Sequence, residues 1–336
     1  LYICQKACCY LGMFIMNTIN NSKGIILVLI AMATFSVHDA IIKFIFKEAA
    51  LYEIYFGRTF IAAILSALYL LLTNQKIIFK TGYPILSVVR VILHFLAFSF
   101  YFISLTYMSL AVATALYFST PLFMSILAKL FLKEDIGIRR WLAILFGFIG
   151  IFVILNPDFR DFDFKNLLPV VCALFYASSM TISKKTADKD NVHTQLFYFY
   201  IITITICLTM FLLSGSGQFN RFDDPTMQFI FRDWFFNPNF TWKYIIAMGI
   251  LASVAFTCIF KAYTSYSTSI TSIFEYSLII WSVIIGYIIF NDIPTFRTFV
   301  GIILVVGAGI FIFIREEIKK QKITIETPLR LSLIHI

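Results

Sequence analysis

Charge is scarce in this sequence of 336 residues, because Asp, Glu, Lys and Arg together make up only 13% of it. Soluble globular domains carry about 25% charged residues. Cysteine is also too sparse and too scattered for a disulfide framework or a zinc-binding spacing. These deficits exclude the disordered, fibrous and nucleic-acid-binding classes, and we expect no nucleic-acid partner.

Apolar residues are abundant instead. They account for 60% of the sequence, or about 202 residues, and Phe alone occurs 39 times. Ten membrane spans of ~20 residues would use about 200 of them. This predicts an all-α polytopic membrane protein. Apolar runs broken by charged or turn residues place ten transmembrane helices at about 24–43, 51–72, 86–105, 111–132, 141–156, 167–183, 194–213, 243–262, 269–290 and 297–314.

Positive charge is unevenly distributed between the predicted loops. With the N-terminus inside, 15 of the 27 Lys and Arg residues fall on the cytoplasmic side and 6 on the exterior side. Basic residues collect in cytoplasmic loops. The asymmetry predicts a multi-pass membrane protein with both termini in the cytoplasm, which requires an even number of spans.

The two halves of the sequence match weakly but in a consistent register. An offset of 158 residues aligns Glu134 with Asp292 and Arg139 with Arg297. Each unit then holds five helices, and an odd number inserts the second unit upside down relative to the first. We therefore predict four regions: an N-terminal cytoplasmic segment 1–23, a first repeat 24–156, a second repeat 157–314 and a cytoplasmic C-terminal tail 315–336.

The two ends of the sequence lie outside these repeats. Residues 1–16 could pass for a signal peptide or a short span, but Cys8-Cys9 and the lack of a small-residue cleavage site argue against processing. We expect translation to start at Met13 or Met16. Residues 329–336 regain apolar character, and we assign them no function.

Both halves end in one pattern: an acidic residue, a short turn, an Arg and a last helix that carries glycine, over 134–150 and 292–309. Further motifs are Ser36-Val37-His38-Asp39 with Lys43, Glu53 with Arg58, Ser119-Thr120-Pro121-Leu122, and Phe175-Tyr176-Ala177 leading to Lys184-Lys185. Over about 24–314 the sequence resembles the EamA-type branch of the drug/metabolite transporter (DMT) superfamily, and most of all its S-adenosylmethionine uptake transporters. The resemblance implies two inverted repeats, a small-molecule substrate and alternating access.

Few ionisable side chains fall within the predicted spans, where each costs ~2.5–3.5 kcal/mol at a helix centre. Asp39 and Lys43 lie four residues apart on one face of the first helix, which predicts a structural ion pair or a role in ion coupling. Arg90 lies near the cytoplasmic end of the third helix, and His94 lies one turn further along it. They are predicted to contact substrate, with snorkelling of Arg90 to the interface as the alternative.

Arg58 and Glu275 are the strongest candidates for substrate contacts. The guanidinium of Arg58 offers two donors that match a carboxylate, although a pair with Glu53 or Asp39, or snorkelling, is the alternative. Glu275 has no basic residue within a turn of its helix. We predict that Glu275 binds a cation or exchanges a proton.

Aromatic residues accompany these positions in both halves. The offset of 158 aligns Tyr117 with Glu275 and Phe118 with Tyr276. Substrate with a ring or a sulfonium could bind among Tyr117, Phe118, Tyr276 and Trp281 through stacking or cation–π attraction. We therefore predict that these residues form the substrate-binding surface.

Two further segments are expected to shape this site. Pro121 lacks a backbone donor and is predicted to kink the fourth helix, although its counterpart in the second half is Ile279. The aromatic stretch 229–240 lies in the long exterior connection. It is predicted to be an interfacial helix or, alternatively, a lid over the exterior opening.

These features predict a secondary transporter that moves a small polar or amphipathic metabolite, S-adenosylmethionine-like or amino-acid-like, by alternating access. The alternatives are a metabolite exporter of the same fold and, less favoured, an intramembrane enzyme or a lipid scramblase. No H-E-x-x-H, G-x-S-x-G or ATP-binding motif occurs. We expect no catalytic residue, cofactor or metal; the expected partners are the substrate and the lipid bilayer, and a homodimer is compatible with the sequence.

Overall fold

The computed structural model describes residues 22–73, 80–132, 137–155, 163–186, 189–190, 192–265 and 272–326. The predicted segment 1–16, residue Glu134 and positions 329–336 lie outside these ranges. Within them the secondary structure is helical, without strands. The α-helices are α1 Ser22–Ile45, α2 Leu51–Leu72, α3 Pro84–Ser104, α4 Leu110–Tyr117, α5 Thr120–Leu132, α6 Ile138–Leu155, α7 Leu168–Thr186, α8 Val192–Ser214, α9 Pro225–Phe231, α10 Pro238–Ser265, α11 Ser277–Phe290 and α12 Phe296–Glu326. Short 3₁₀ turns, Phe164–Leu167 and Ser272–Tyr276, lead into α7 and α11.

Seven of the described segments are long and apolar enough to cross a membrane: Ser22–Ile45, Leu51–Leu72, Pro84–Ser104, Leu110–Phe131, Phe164–Ser183, His193–Ser214 and Pro238–Ile259. Three shorter apolar helices, Trp141–Leu155, Phe274–Phe290 and Phe296–Ile312, lie where the remaining spans are predicted. The all-α class predicted from the sequence is confirmed.

The predicted kink at Pro121 is also confirmed, because α4 ends at Tyr117 and α5 begins at Thr120. Proline cannot donate a backbone hydrogen bond, so a carbonyl in the preceding turn needs another partner. The hydroxyl of Ser119 donates to the carbonyl of Leu116 at 2.7 Å, and that of Thr120 donates to Tyr117 at 2.7 Å. Two hydroxyls thus stabilise the break in the helix.

Helices from the two halves of the sequence pack against each other. α1 lies against α10 and α11, α3 against α7 and α8, α2 against α8 and α10, and α6 against α12. Glycine permits the closest of these approaches, since a Cβ atom at Gly301 of α12 would lie 2.8 Å from the carbonyl oxygen of Gly150 in α6. The core is therefore shared between the two halves.

Five connections meet at one end of the bundle, which we call the α1–α2 end. The contacts that join them are Lys43 with Met108 and Asp292, Tyr107 with Lys165, Lys165 with Asp224, and Arg232 with Phe46. At the opposite end, the backbone N–H of Gly82 donates to Asp190 at 2.8 Å, which joins the α2–α3 connection to the α7–α8 connection.

The long aromatic connection between α8 and α10 is docked on the α1–α2 turn. Phe229 of α9 is fully buried, and its ring centroid lies 6.2 Å from that of Phe46. Arg232 donates to the carbonyl of Phe46 at 3.2 Å, and the Asn237 amide donates to Glu48 at 3.2 Å. This connection therefore packs on protein at the α1–α2 end.

Candidate substrate site

His38 occupies the centre of a buried polar cluster. Its Nε2 atom lies 3.1 Å from Nη1 of Arg58 in α2, and its Nδ1 atom lies 3.0 Å from Oδ1 of the neighbouring Asp39. A guanidinium can only donate, so Nε2 must accept and the ring proton must sit on Nδ1, which donates to Asp39. His38 is therefore neutral here and links the charges of Arg58 and Asp39.

A line of hydroxyl groups reaches the same carboxylate from the other side. Tyr101 donates to Oδ2 of Asp39 at 3.2 Å and lies 3.0 Å from Thr114, which lies 3.1 Å from Ser282. Ser36 donates to Ser282 at 3.5 Å. The hydroxyl of Thr114 also lies 2.8 Å from the carbonyl of Leu110, to which it donates. These contacts join α1, α11, α4 and α3.

Arg58 is held between aromatic rings. Its guanidinium carbon lies 4.3 Å from the ring centroid of Tyr55 and 4.8 Å from that of Phe102, distances at which cation–π attraction operates. Its Nε atom is buried and has no hydrogen-bond partner within the described ranges. Burying a donor without a partner costs free energy. The Nε atom of Arg58 could therefore still donate one hydrogen bond to a ligand.

The alternative pairings predicted for Arg58 are corrected by the structure. Glu53 accepts hydrogen bonds from the backbone N–H groups of Ala50 and Phe235, at 3.5 and 3.4 Å. Among the described residues, hydrogen bonds connect Arg58 to Asp39 through His38. The structure therefore gives Arg58 an imidazole partner instead of the expected carboxylate.

The predicted pair between Asp39 and Lys43 is also corrected. Lys43 lies one turn further along α1 and donates to Asp292 at 2.7 Å and to the carbonyl of Met108 at 2.9 Å. Asp39 points inward to His38 and Tyr101. Helical spacing brings the two residues to one face, but their charged ends find partners on different elements.

The predicted aromatic residues come together at the join between the halves. The rings of Phe118 and Tyr276 lie 4.8 Å apart, and Tyr117 lies 5.6 Å from Phe118. Trp281 is partly buried in the same apolar cluster. The Tyr117 ring also lies 5.8 Å from Tyr101, which connects the aromatic surface to the polar cluster around His38.

Glu275 is half-buried in the 3₁₀ turn before α11. It lies close enough to Tyr117, Tyr176 and Tyr276 to interact with them electrostatically. Tyr276 directs its hydroxyl at α12, where a Cβ atom at Gly309 would lie 1.8 Å from that oxygen. Glycine at position 309 therefore makes room for Tyr276.

Arg90 and His94 have different surroundings. Arg90 is 7% exposed and donates to the carbonyl of Gln195 at 2.7 Å. Arg90 is therefore buried against α8, and the alternative prediction that its side chain snorkels to the interface is wrong. His94 lies among rings, with centroids 4.9 Å from Phe98 and 5.6 Å from Tyr176, so it belongs to the edge of the aromatic surface.

Sequence reasoning missed the partners that complete the cluster. Tyr101, Thr114 and Ser282 are hydroxyl residues in apolar helices, and only their approach in three dimensions distinguishes them from ordinary core residues. Tyr176 contacts Tyr117 at 5.5 Å. Its place in the Phe175-Tyr176-Ala177 motif was an available signal.

One cavity near these helices lies away from the polar cluster. Its volume is about 320 Å³, and it is bounded by α2, α8 and α10, with Ser66, Tyr200 and Thr257 among its few polar groups. It contains none of the predicted site residues. Within the described ranges, His, Cys, Asp and Glu form no group of three or more that could hold a metal ion.

Several characterised proteins are similar to this chain. An S-adenosylmethionine uptake transporter of Rickettsia prowazekii (strain Madrid E) is 27% identical over 295 residues, which span 88% of this chain and 94% of that protein. A riboflavin transporter of Vibrio cholerae is 30% identical over 208 residues, 62% of this chain and 63% of that protein. A pseudopaline exporter of Pseudomonas aeruginosa is 23% identical over 86% of this chain and 95% of its own length.

The structural comparison agrees on the fold. A solved crystal structure superposes with a TM-score of 0.55 over 86% of this chain and 95% of that one, at 14% identity, which supports the fold alone. The EamA-like transporter family matches residues 22–156 and 164–314. The protein is a multi-pass membrane transporter of metabolites and not an enzyme. With both of these segments matched, the chain belongs to the EamA-like transporter family.

Proposed function

We propose that the protein is a secondary transporter that moves an S-adenosylmethionine-like or amino-acid-like metabolite across the bacterial inner membrane. The observation that carries this proposal is the contact of 4.8 Å between Phe118 and Tyr276. These residues occupy equivalent positions in the two halves and lie beside the polar cluster around His38. Transporters that work by alternating access bind their substrate at the interface between the two repeats.

Two inverted repeats, 24–156 and 157–314, account for the packing of the helices. Exchanging the halves turns the contact of α1 with α10 into that of α7 with α3, and the contact of α2 with α10 into that of α8 with α3. The contacts of α2 with α8 and of α6 with α12 map onto themselves. A pseudo-two-fold axis in the membrane plane produces this pattern.

The connections support ten spans, five in each repeat. The five connections at the α1–α2 end alternate along the chain with the α2–α3 and α7–α8 connections at the opposite end. We propose from the charge asymmetry that the α1–α2 end is exterior and that the segments 1–23 and 315–336 are cytoplasmic. Assembly as a homodimer stays a prediction.

Each site residue has a role in this proposal. Arg58 binds a carboxylate through its two donors. The rings of Tyr117, Phe118, Tyr276 and Trp281 stack on a base or surround a sulfonium. Glu275 neutralises a cationic group or exchanges a proton, and Arg90 and His94 extend the surface. Rocking of the two repeats then exposes the site to each side in turn.

Uptake and export are both compatible with inverted repeats. The relatives include proteins named for uptake and one named as an exporter. We propose uptake because the relatives named for S-adenosylmethionine uptake are 27% and 28% identical to this chain, whereas the exporter is 23% identical. Export of an amino acid or a drug by the same site is the second candidate.

A ligand screen followed by vesicle transport tests the proposal. Purified protein is heated with S-adenosylmethionine, amino acids and riboflavin, and ligands that raise the unfolding temperature are offered to proteoliposomes as radiolabelled solutes. We expect S-adenosylmethionine or an amino acid to stabilise the protein and to enter the vesicles. Failure of every solute to exceed the flux of empty liposomes would reject the transporter proposal.

A further inference from the structure

The lone pair on Nε2 of His38 holds Arg58 in its present position. The Nη1 atom of Arg58 lies 3.1 Å from this nitrogen. An imidazole nitrogen can accept a hydrogen bond or carry a proton, but it cannot do both at once. Protonation of His38 at Nε2 and its contact with Arg58 are therefore mutually exclusive.

Asp39 is placed to hold His38 after protonation. Its Oδ1 atom lies 3.0 Å from Nδ1 of His38, and its Oδ2 atom accepts from Tyr101 at 3.2 Å. An imidazolium beside a carboxylate forms a charge-assisted hydrogen bond. An imidazolium and a guanidinium 3.1 Å apart would repel each other. A proton on His38 thus strengthens one contact and breaks the other.

Arg58 has a reason to bind elsewhere once it is released. Its Nε atom is buried without a hydrogen-bond partner within the described ranges, so its donor capacity is only partly used. The rings of Tyr55 and Phe102 keep the guanidinium at this depth. His38 accepts one hydrogen bond from Arg58. A carboxylate entering beside Phe102 would offer two acceptor oxygens to the same guanidinium.

We propose that His38 is a proton-binding site whose occupation releases Arg58 to bind a carboxylate on the transported substrate. The proposal rests on the transport function above and deepens it by naming the coupling ion and a required chemical group. The proton comes from a hydronium ion of the aqueous phase. One O–H bond of that ion breaks as one N–H bond forms at Nε2, and one water molecule is left.

Thermodynamic coupling between the two binding sites predicts the relative direction in which proton and substrate move. If a proton on His38 raises the affinity of Arg58 for a carboxylate, the bound carboxylate must raise the affinity of His38 for a proton by the same factor. Proton and substrate therefore occupy the protein together. Transport of both in the same direction follows, so an inward proton gradient drives uptake.

Other titratable groups face this cluster from the helices packed around it. They are Asp39 on α1, Tyr55 and Arg58 on α2, His94 and Tyr101 on α3, Cys172 on α7 and Cys207 on α8. The described side chains of α4 and α11 contribute the hydroxyls of Thr114 and Ser282. Asp39 supplies the negative charge that favours a proton on His38, and Arg58 opposes it until it moves.

A measurement without substrate tests the proton site itself. Full-length protein with ¹⁵N-labelled histidine is placed in lipid bilayers, and the His38 signal is assigned by its loss in His38→Gln. We expect a protonated Nδ1 and a bare Nε2 at neutral pH. Arg58→Met removes every donor while keeping a long side chain, so His38 should take up its proton at a higher pH. A proton on Nε2 at neutral pH, or an unchanged titration in Arg58→Met, would overturn the proposal.

A transport measurement tests the coupling. His38→Gln keeps an acceptor for Arg58 and a donor for Asp39 but cannot be protonated. In proteoliposomes with radiolabelled S-adenosylmethionine, an inward pH gradient should stimulate uptake by this variant about tenfold less than uptake by the unaltered protein. The matched variant His193→Gln on α8 should keep the stimulation. Full stimulation in His38→Gln would reject coupling at this residue. If the unaltered protein moves no solute, the transport proposal fails, and the nitrogen signals still decide the proton site.

Discussion

Lys43 near the end of α1 donates a hydrogen bond of 2.7 Å to Asp292, which lies between α11 and α12, so one ion pair joins the two halves of the sequence. The side chains are 15% and 30% exposed, so water screens this pair less than a surface pair. It lies at the α1–α2 end, where the proposed mechanism requires the halves to separate. We infer that this pair stabilises the state in which that end is closed.

A double-mutant cycle measures the strength of this pair. Lys43→Gln, Asp292→Asn and the double variant should give a coupling energy of about 0.5–3 kcal/mol, measured by denaturant unfolding in detergent micelles. The pair of Lys165 and Asp224 is the control, because its side chains are 44% and 38% exposed. Its coupling should be about 0.2–1 kcal/mol. A smaller coupling for Lys43 with Asp292 than for the control would contradict the inference.

Gly309→Ala tests the placement of Tyr276. The added methyl group would lie 1.8 Å from the hydroxyl oxygen of Tyr276, so the side chain of Tyr276 must shift from its present position beside Phe118. We expect weaker binding of the transported solute, measured by equilibrium binding to purified protein. Gly307→Ala on the same helix is the matched control, since its added methyl group meets nothing within 4 Å. Equal affinities in the two variants would show that Tyr276 does not contribute to the site.

Phe229→Ala tests the docking of the connection between α8 and α10. Phe229 is fully buried, and truncation of a buried Phe costs about 3–5 kcal/mol. Phe219 in the same connection is 51% exposed, so its change to Ala should shift stability by about 0.5 kcal/mol or less. Denaturant unfolding compares the two. A mild effect of Phe229→Ala would mean that this connection is only loosely attached.

Tyr101→Phe tests the hydrogen bond to Asp39. The variant keeps the ring and removes a donor to a charged carboxylate, a loss of about 1.5–3 kcal/mol. Ser99→Ala on the same helix removes only a neutral bond to the carbonyl of Phe95 and should cost less. Thermal unfolding in detergent distinguishes the two variants. If Ser99→Ala proves more destabilising, Asp39 does not depend on Tyr101.

The helices could be predicted from the sequence because a run of apolar residues with charged or turn residues at its ends specifies them. The third helix, predicted at 86–105, is found at Pro84–Ser104. The kink at Pro121 follows equally from local chemistry. Length beyond the apolar run is harder to predict, and α12 continues to Glu326, past the expected end at 314.

The candidate site could be predicted only where the repeat constrained it. The alignment of Phe118 with Tyr276 predicted that both rings belong to one surface, and the structure places their centroids 4.8 Å apart. The partner of Lys43 lies 249 positions away, and helical spacing alone favoured Asp39. His38 connects Arg58 to Asp39 only because α1 and α2 approach each other in a particular way. A local sequence pattern does not specify that approach.

Transport of radiolabelled S-adenosylmethionine by the reconstituted protein tests the central claim most directly. Uptake into proteoliposomes is measured for the unaltered chain, for Arg58→Ala and Glu275→Gln, and for Lys165→Ala as an exposed control. We predict saturable uptake that Lys165→Ala retains and that both site variants lose without unfolding. Uptake that is equally fast in all four proteins would contradict the proposed site, and no uptake in any of them would contradict transport of this solute.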